Sequence, residues 1–246
     1  MKKLIVANWK MNPSSLGEAR SIVEGMDECV RGLGEARERL DIVVCPPFNF
    51  AEEVANMLSM GELSSVAQLG AQDIAEQLEK LGVRYVIAGH SDRRYKMGES
   101  DDVVNEKIRT ILSRGMVPIV CVGEQTREGA WQDSLRAQVE ATFRGMTGGQ
   151  VAQCLIAYEP VWAISTTPGA TPDSPASAVQ SMALIRDVIS DRFDASQATF
   201  LYGGSITSEN IAEFLGRSEI SGVLVGGASV RVDEFCSILS IVAREV

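Results

Sequence analysis

The stretch Cys154-Leu155-Ile156-Ala157-Tyr158-Glu159-Pro160-Val161-Trp162-Ala163 decides the fold. Its first five residues are apolar without alternation, which marks a strand covered on both faces, as the strands of a parallel sheet are. Glu159 stands at the strand tip, and Pro160 fixes its own φ and pushes Glu159 toward extended geometry. Beyond it Trp162 supplies an anchor, while the small residues from Ala163 to Ala170 leave the loop free to move. A fixed acid before a mobile loop is how a catalytic base and its lid would be built. A strand end running into an ordinary polar loop fits the same residues.

The pattern recurs outward in both directions. Apolar runs at residues 4–7, 41–45, 63–68, 83–89, 117–122, 154–159, 199–202 and 222–225 give eight strand candidates, most of them near-continuous Val, Ile, Leu and Ala. Helical spacing fills the gaps: Ile74, Leu78 and Leu81 fall at i, i+4, i+7, and Val104, Ile108, Ile111 and Leu112 make a second apolar face. Thr171 and Pro172 read as an N-cap with proline at the first helical position, and Thr207 as the cap of the helix after the seventh strand. No linker or low-complexity run interrupts the series. Eight βα units in 246 residues predict an α/β fold, a single-domain (β/α)₈ barrel over residues 1–246, with an open doubly wound sheet as the competing arrangement.

Composition narrows the function. At 45% hydrophobic and 23% charged the chain has the make-up of a soluble globular enzyme. A net charge of −10 argues against a nucleic-acid partner, which needs a basic face. An anionic small molecule stays open, because a local cationic pocket overrides the global field. The five cysteines, Cys29, Cys45, Cys121, Cys154 and Cys236, are scattered without a C-x-x-C, as in a cytoplasmic protein with reduced thiols. Four apolar residues before Asn8 and Lys10 are too few for a signal peptide, and no apolar run is long enough to predict a membrane span. No nucleotide-binding glycine motif follows a strand, so no cofactor is expected. A single histidine among scattered thiols argues against a metal site.

A barrel carries its active site on the loops after the strands. After strand one, Lys10 could neutralise a bound anion and the charge growing on a substrate oxygen, with Asn8 holding it or donating to substrate. A rim charge is the usual fate of such a lysine. After strand four, His90 follows a glycine where Ser91 and Asp92 could open a helical turn, whose N–H groups favour a neutral ring able to donate to a carbonyl. A lone histidine is more often structural, and Arg93 and Arg94 read as structural ion-pair partners. After strand five, Cys121-Val-Gly-Glu124 sets a carboxylate beside the mouth, read from the residues as a loop carboxylate capping a helix. Gly-Gly pairs follow strands seven and eight, in Tyr202-Gly-Gly-Ser205 and Gly226-Gly-Ala-Ser229. Each alone means a turn, but these are the two barrel loops that commonly hold a phosphate.

Together, Asn8-x-Lys10, Gly89-His-Ser91, Cys121-x-Gly-Glu124, Ala157-Tyr-Glu-Pro-Val-Trp-Ala163, Tyr202-Gly-Gly-Ser205 and Gly226-Gly-Ala-Ser229 resemble the triosephosphate isomerase family, nearly end to end and in order. The resemblance implies a TIM barrel, cofactor-free interconversion of dihydroxyacetone phosphate and glyceraldehyde 3-phosphate, and usually a homodimer. It makes Glu159 the base, with neutral His90 and Lys10 stabilising the enediolate. It puts the phosphate on backbone N–H groups at Ser165, Ser205, Gly226 and Gly227, under a lid that starts at Ile164. Tyr202 and Ser205 resemble the residues that latch the closed lid, and Trp162 its hinge, with Cys121 and Glu124 among the residues that support it.

Three departures stand out. The family's lid reads Ala-Ile-Gly-Thr-Gly-Lys, whereas this one reads Ala163-Ile-Ser-Thr-Thr-Pro168; a positive φ at Ser165 or Thr167 would be strained. Matching Ala67-Gln68 to the family's strand end leaves residues 69–73 before the next helix, far shorter than the family's intersubunit loop, so a monomer or a weakened, rearranged homodimer is expected. Asp92 replaces a glutamate, one methylene shorter, which puts its pairing with Lys10 in question. Two further readings compete: an isomerase of a four-carbon ketose phosphate such as erythrulose phosphate, and a barrel that binds phosphorylated ligands without catalysis.

Overall fold

Residues of the strands alternate between two apolar environments, which is why their sequences show no polar face. Val6, Val43, Ile87, Ile119, Ala157 and Leu201 turn into a small inner cluster, while Ile5, Ile42, Val86, Val120, Ile156 and Phe200 turn outward into a larger layer beneath the helices. The computed structural model describes residues 2–195 and 197–245. Its strands are β1 (Lys3–Asn8), β2 (Leu40–Cys45), β3 (Ala67–Ala71), β4 (Tyr85–Ala88), β5 (Val117–Val122), β6 (Leu155–Tyr158), β7 (Thr199–Tyr202) and β8 (Gly222–Val225). They pair in parallel in that order and close when β1 meets β8, Ile5 facing Val223. The fold is a (β/α)₈ barrel.

The helices are α1 (Leu16–Gly32), α2 (Ala51–Leu58), α3 (Asp101–Ser113), α4 (Trp131–Thr142), α5 (Gly148–Val151), α6 (Pro175–Phe193), α7 (Ile211–Leu215) and α8 (Val232–Glu245). Ser15 and Ser100 cap α1 and α3 by accepting the N–H of Glu18 and Val103, satisfying donors that the first turn leaves orphaned. The predicted face of Val104, Ile108 and Ile111 is buried on α3. No helix among the described residues is long and apolar enough to cross a membrane.

The third βα unit departs from its sequence reading. Only the last two residues of the run 63–68 are strand: residues Glu62–Ser65 form a 3₁₀ turn that buries Leu63, and β3 begins at Ala67. Gly70 has no side chain because the barrel interior leaves no room there, and a Cβ would overlap the side chains of Cys45 and Val43. Nor does a helix follow. Residues 72–84 run through turns, interrupted by a positive φ of 66° at Gln77 and one of 73° at Gly82, while Leu78 and Val83 are still buried. The spacing of Ile74, Leu78 and Leu81 thus serves packing without helix. Because β3 ends at Ala71 rather than Gln68, Gln72 is the residue delivered to the barrel mouth, and the connection to β4 remains short.

Two cap assignments also shift. Helix α6 begins at Pro175 under Ser174, whose hydroxyl accepts from Ser177 N–H, so Thr171 and Pro172 precede it. Thr207 does not cap α7; Asn210 occupies that position and its Oδ1 accepts the Thr207 N–H at 2.9 Å.

Candidate active site

At the C-terminal end of β6, Glu159 is still tied to the sheet, its N–H donating to the Val122 carbonyl at 2.8 Å. The residue is only 3% exposed, and its side chain reaches across the mouth. Oε2 accepts the Ser91 N–H at 3.0 Å, and Oε1 lies 3.1 Å from His90 Nε2. His90 Nδ1 accepts the N–H of Asp92 at 3.1 Å. With Nδ1 accepting there, the geometry turns Nε2 toward the Glu159 carboxyl as the ring's donor. The helical turn predicted to open at Ser91 is present as one wide turn over Asp92–Lys96.

Two glycines make room for the base. A Cβ at Gly123 would collide with the Glu159 carbonyl, and one at Gly203 would crowd the Glu159 Cγ. Cys121, buried on β5, has its thiol pushed up by burial and then by the adjacent Glu159 charge, so it stays a protonated wall.

Lys10 adopts a positive φ of 54°, a strained conformation for a residue with a side chain. Asn8 and Gln72 hold it there. Asn8 Oδ1 accepts the Lys10 N–H at 3.1 Å, and Gln72 Nε2 donates to the Lys10 carbonyl at 2.6 Å and to that of Cys45 at 3.0 Å. The ammonium sits 3.3 Å from Asp92, so the shorter acid keeps its pairing with Lys10. Burial raises the Asp92 carboxyl, but the hydrogen bond from Lys96 and the charge of Lys10 outweigh it and hold it below its usual value. Arg93 and Arg94 are structural, as expected: Arg94 is buried against Asp101 and the Gly89 carbonyl, and Arg93 joins Asp73 and Glu99.

Opposite lies a cavity of about 320 Å³. Asn8, Lys10, His90, Glu159, Ile164, Ser165, Ser205, Gly226 and Gly227 all line it, whereas Trp162, Tyr202, Cys121 and Glu124 stand behind its walls. A larger recess of about 480 Å³ beside α4 contains neither the imidazole nor the base. Arg231, an exposed cation just past the second Gly-Gly pair, also lines the cavity. The sequence reading missed it, and its place five residues after Gly226 was the available signal.

The lid is closed on itself at its root. Thr171 N–H donates to the Trp162 carbonyl at 3.1 Å, and Ser205 Oγ accepts the Ser165 N–H at 2.9 Å while donating to the Ala163 carbonyl at 2.8 Å. The Ser165 N–H expected on the phosphate is therefore taken by the Ser205 hydroxyl. Neither Ser165 nor Thr167 takes a positive φ; Gly169, at 74°, supplies the lid's left-handed turn. Glu124 caps no helix. Its Oε1 accepts from Tyr158 OH at 2.7 Å and Trp162 Nε1 at 3.0 Å and pairs with Arg127 at 3.1 Å, fixing the lid's first hinge. Tyr202 stacks on Phe214 at 4.0 Å, and its phenol lies against Asp173 beyond the lid's other end.

The family model described as triosephosphate isomerase matches residues 3–242. Similar curated proteins carry the same name: one from Roseiflexus sp. (strain RS-1) is 38% identical, with 96% of each chain covered, and one from Cutibacterium acnes is 35% identical at the same coverage. A third, from Saccharopolyspora erythraea, is 37% identical over 98% of this chain and 96% of its own. With the match running from β1 into α8 and each relative covered almost whole, the chain belongs to the triosephosphate isomerase family.

Proposed function

We propose that the protein catalyses the reaction its relatives are named for, the cofactor-free interconversion of dihydroxyacetone phosphate and glyceraldehyde 3-phosphate, a step of glycolysis and gluconeogenesis. Glu159 takes a proton from the carbon beside the carbonyl and returns it to the neighbouring carbon. His90 Nε2–H and the Lys10 ammonium stabilise the enediolate oxygen between the two steps. A preorganised donor of this kind is worth about 3–4 kcal/mol in the transition state. Substrate enters by separating Glu159 from Nε2, which frees the base for carbon and the N–H for oxygen together. The phosphate takes the Ser165 N–H from Ser205 and adds N–H groups of Gly226 and Gly227, with Arg231 at the rim. Lid closure then keeps water from the enediolate.

The observation that carries this reading is the buried Glu159 carboxyl set 3.1 Å from the His90 imidazole in the cavity that Lys10 lines. A phosphate-binding barrel without catalysis has no use for such a base. The test is a coupled assay of the purified protein on glyceraldehyde 3-phosphate. Glu159→Gln should lower kcat about 10³-fold or more; turnover surviving that change would remove Glu159 from the role.

We infer further that the chain is a monomer or a weak, rearranged homodimer. The short 72–84 connection supports this, because the support of Lys10 comes from Gln72 of the same chain. Met11, Met97 and Phe48, at 85%, 67% and 59% exposure, are the apolar side chains on which loose association would draw. Light scattering behind size exclusion should give the monomer mass at micromolar concentration or below. A dimer persisting at nanomolar concentration would refute it.

A further inference from the structure

Helices α1 and α8 pack flush on the outside of the β1–β8 seam because residue 25 has no side chain. A Cβ on Gly25 would overlap the side chain of Val232. One turn further along each helix stands a cysteine, Cys29 on α1 and Cys236 on α8. Cys29 Sγ lies 3.7 Å from the Cys236 carbonyl oxygen, and Cys236 Sγ lies 3.8 Å from that of Gly25. Each sulfur thus rests on the backbone of the other helix, which makes the two thiols neighbours across the seam. Both are half-buried, whereas Cys45, Cys121 and Cys154 are buried.

We propose that Cys29 and Cys236 are a redox pair that closes into a reversible disulfide between α1 and α8 by exchange with a low-molecular-weight disulfide such as oxidised glutathione. The Cys236 thiolate attacks one sulfur of the small disulfide, forming a mixed disulfide and expelling one small thiolate. Cys29 then gives its proton to solvent and attacks the Cys236 sulfur, expelling the second. Two protein thiols are oxidised to one disulfide, and the small disulfide is reduced to two thiols. The order follows from the effect of each thiol on the other. The neighbouring Cys29 lowers the Cys236 thiol against the opposing effects of burial and of the Asp233 and Glu28 charges, and the same pairing raises Cys29. The attacking sulfur is thus the one more readily ionised. The bond would join residues 207 apart in sequence and restrain the unfolded chain accordingly.

The full-length protein is incubated with oxidised glutathione, then titrated for thiols, mapped by non-reducing peptide mass spectrometry and melted. The expected result is the loss of two of the five thiols and a peptide pair linking Cys29 to Cys236. Tm should rise by about 5 °C or more, and dithiothreitol should reverse it. Cys29→Ser under the same treatment should keep glutathione on Cys236 and show no such rise. Mixed disulfides that never resolve in the wild-type chain, linkage through other cysteines, or an unchanged Tm would overturn the proposal. The wild-type peptide map decides the matter even where a variant does not fold.

Discussion

At the scale of single residues, the placement of the base depends on atoms that are missing. A methyl group at residue 123 would occupy the space of the Glu159 carbonyl, so Gly123→Ala must push the β6 tip away from the mouth. Overpacking of this kind costs about 1–3 kcal/mol, and a displacement near 1 Å costs about 10²-fold in rate. The expected outcome is a lower Tm with a kcat reduced about 10²-fold, read by calorimetry and steady-state assay. A variant with the original kcat would uncouple that glycine from the base. Glu159, His90 and Lys10 were legible in sequence because each is a chemically capable side chain at a strand end. Gly123, Gly203 and Gln72 were not, since what they do is defined by a neighbour distant in sequence. The helix-cap reading of Glu124 failed for the same reason, since its partners Tyr158 and Trp162 come from the next βα unit, but its place among the lid's supports agrees with those bonds.

At the scale of elements, the lid is the movable part, and one hydroxyl restrains it. Ser205 Oγ makes two bonds to it, at Ala163 and Ser165, and each neutral bond is worth about 1 kcal/mol net. Ser205→Ala removes both bonds and so releases the lid. It should reduce kcat/KM about tenfold or more, measured by steady-state kinetics with Trp162 fluorescence following lid position. An unaltered kcat/KM would mean that the lid closes without this residue. Most strands could be read directly because burial on both faces leaves continuous apolar runs. Strand β3 was displaced in the reading because Gln68 and Gly70 break its apolar run, while Leu63 just before it is buried by a turn. The helix expected at 74–81 fails where Gln77 takes a left-handed conformation.

For the whole molecule, ionic clusters around the mouth set the response to acid. Burial raises the Glu99 carboxyl, but Lys107 and Arg93 together hold it below its usual value, as Lys96 and Lys10 do for Asp92. A lowered carboxyl contributes stability that is present above its unfolded pKa of about 4 and is lost as pH falls through the folded value. Asp173 is raised by burial, so its contribution has the opposite sign and falls as pH rises from about 4. Tm should therefore drop on acidification below about pH 4. Glu99→Gln should flatten that drop, and a slope unchanged by the substitution would exclude the cluster as its source.

The closure of β1 on β8 also bears on how the chain is made. Strand β1 leaves the ribosome first, and β2 covers one of its edges early, but the other edge waits for β8. At roughly 5–20 residues per second, synthesis of the intervening chain takes about 10–40 s. For that interval an apolar strand edge stands open to neighbouring nascent chains. Lys2 and Lys3 put charge at its start, and in the finished barrel Lys3 donates to the carbonyls of Leu215 and Ile220 at the entrance to β8. The same ammonium that discourages edge-to-edge pairing on the polysome fastens the last strand when it arrives.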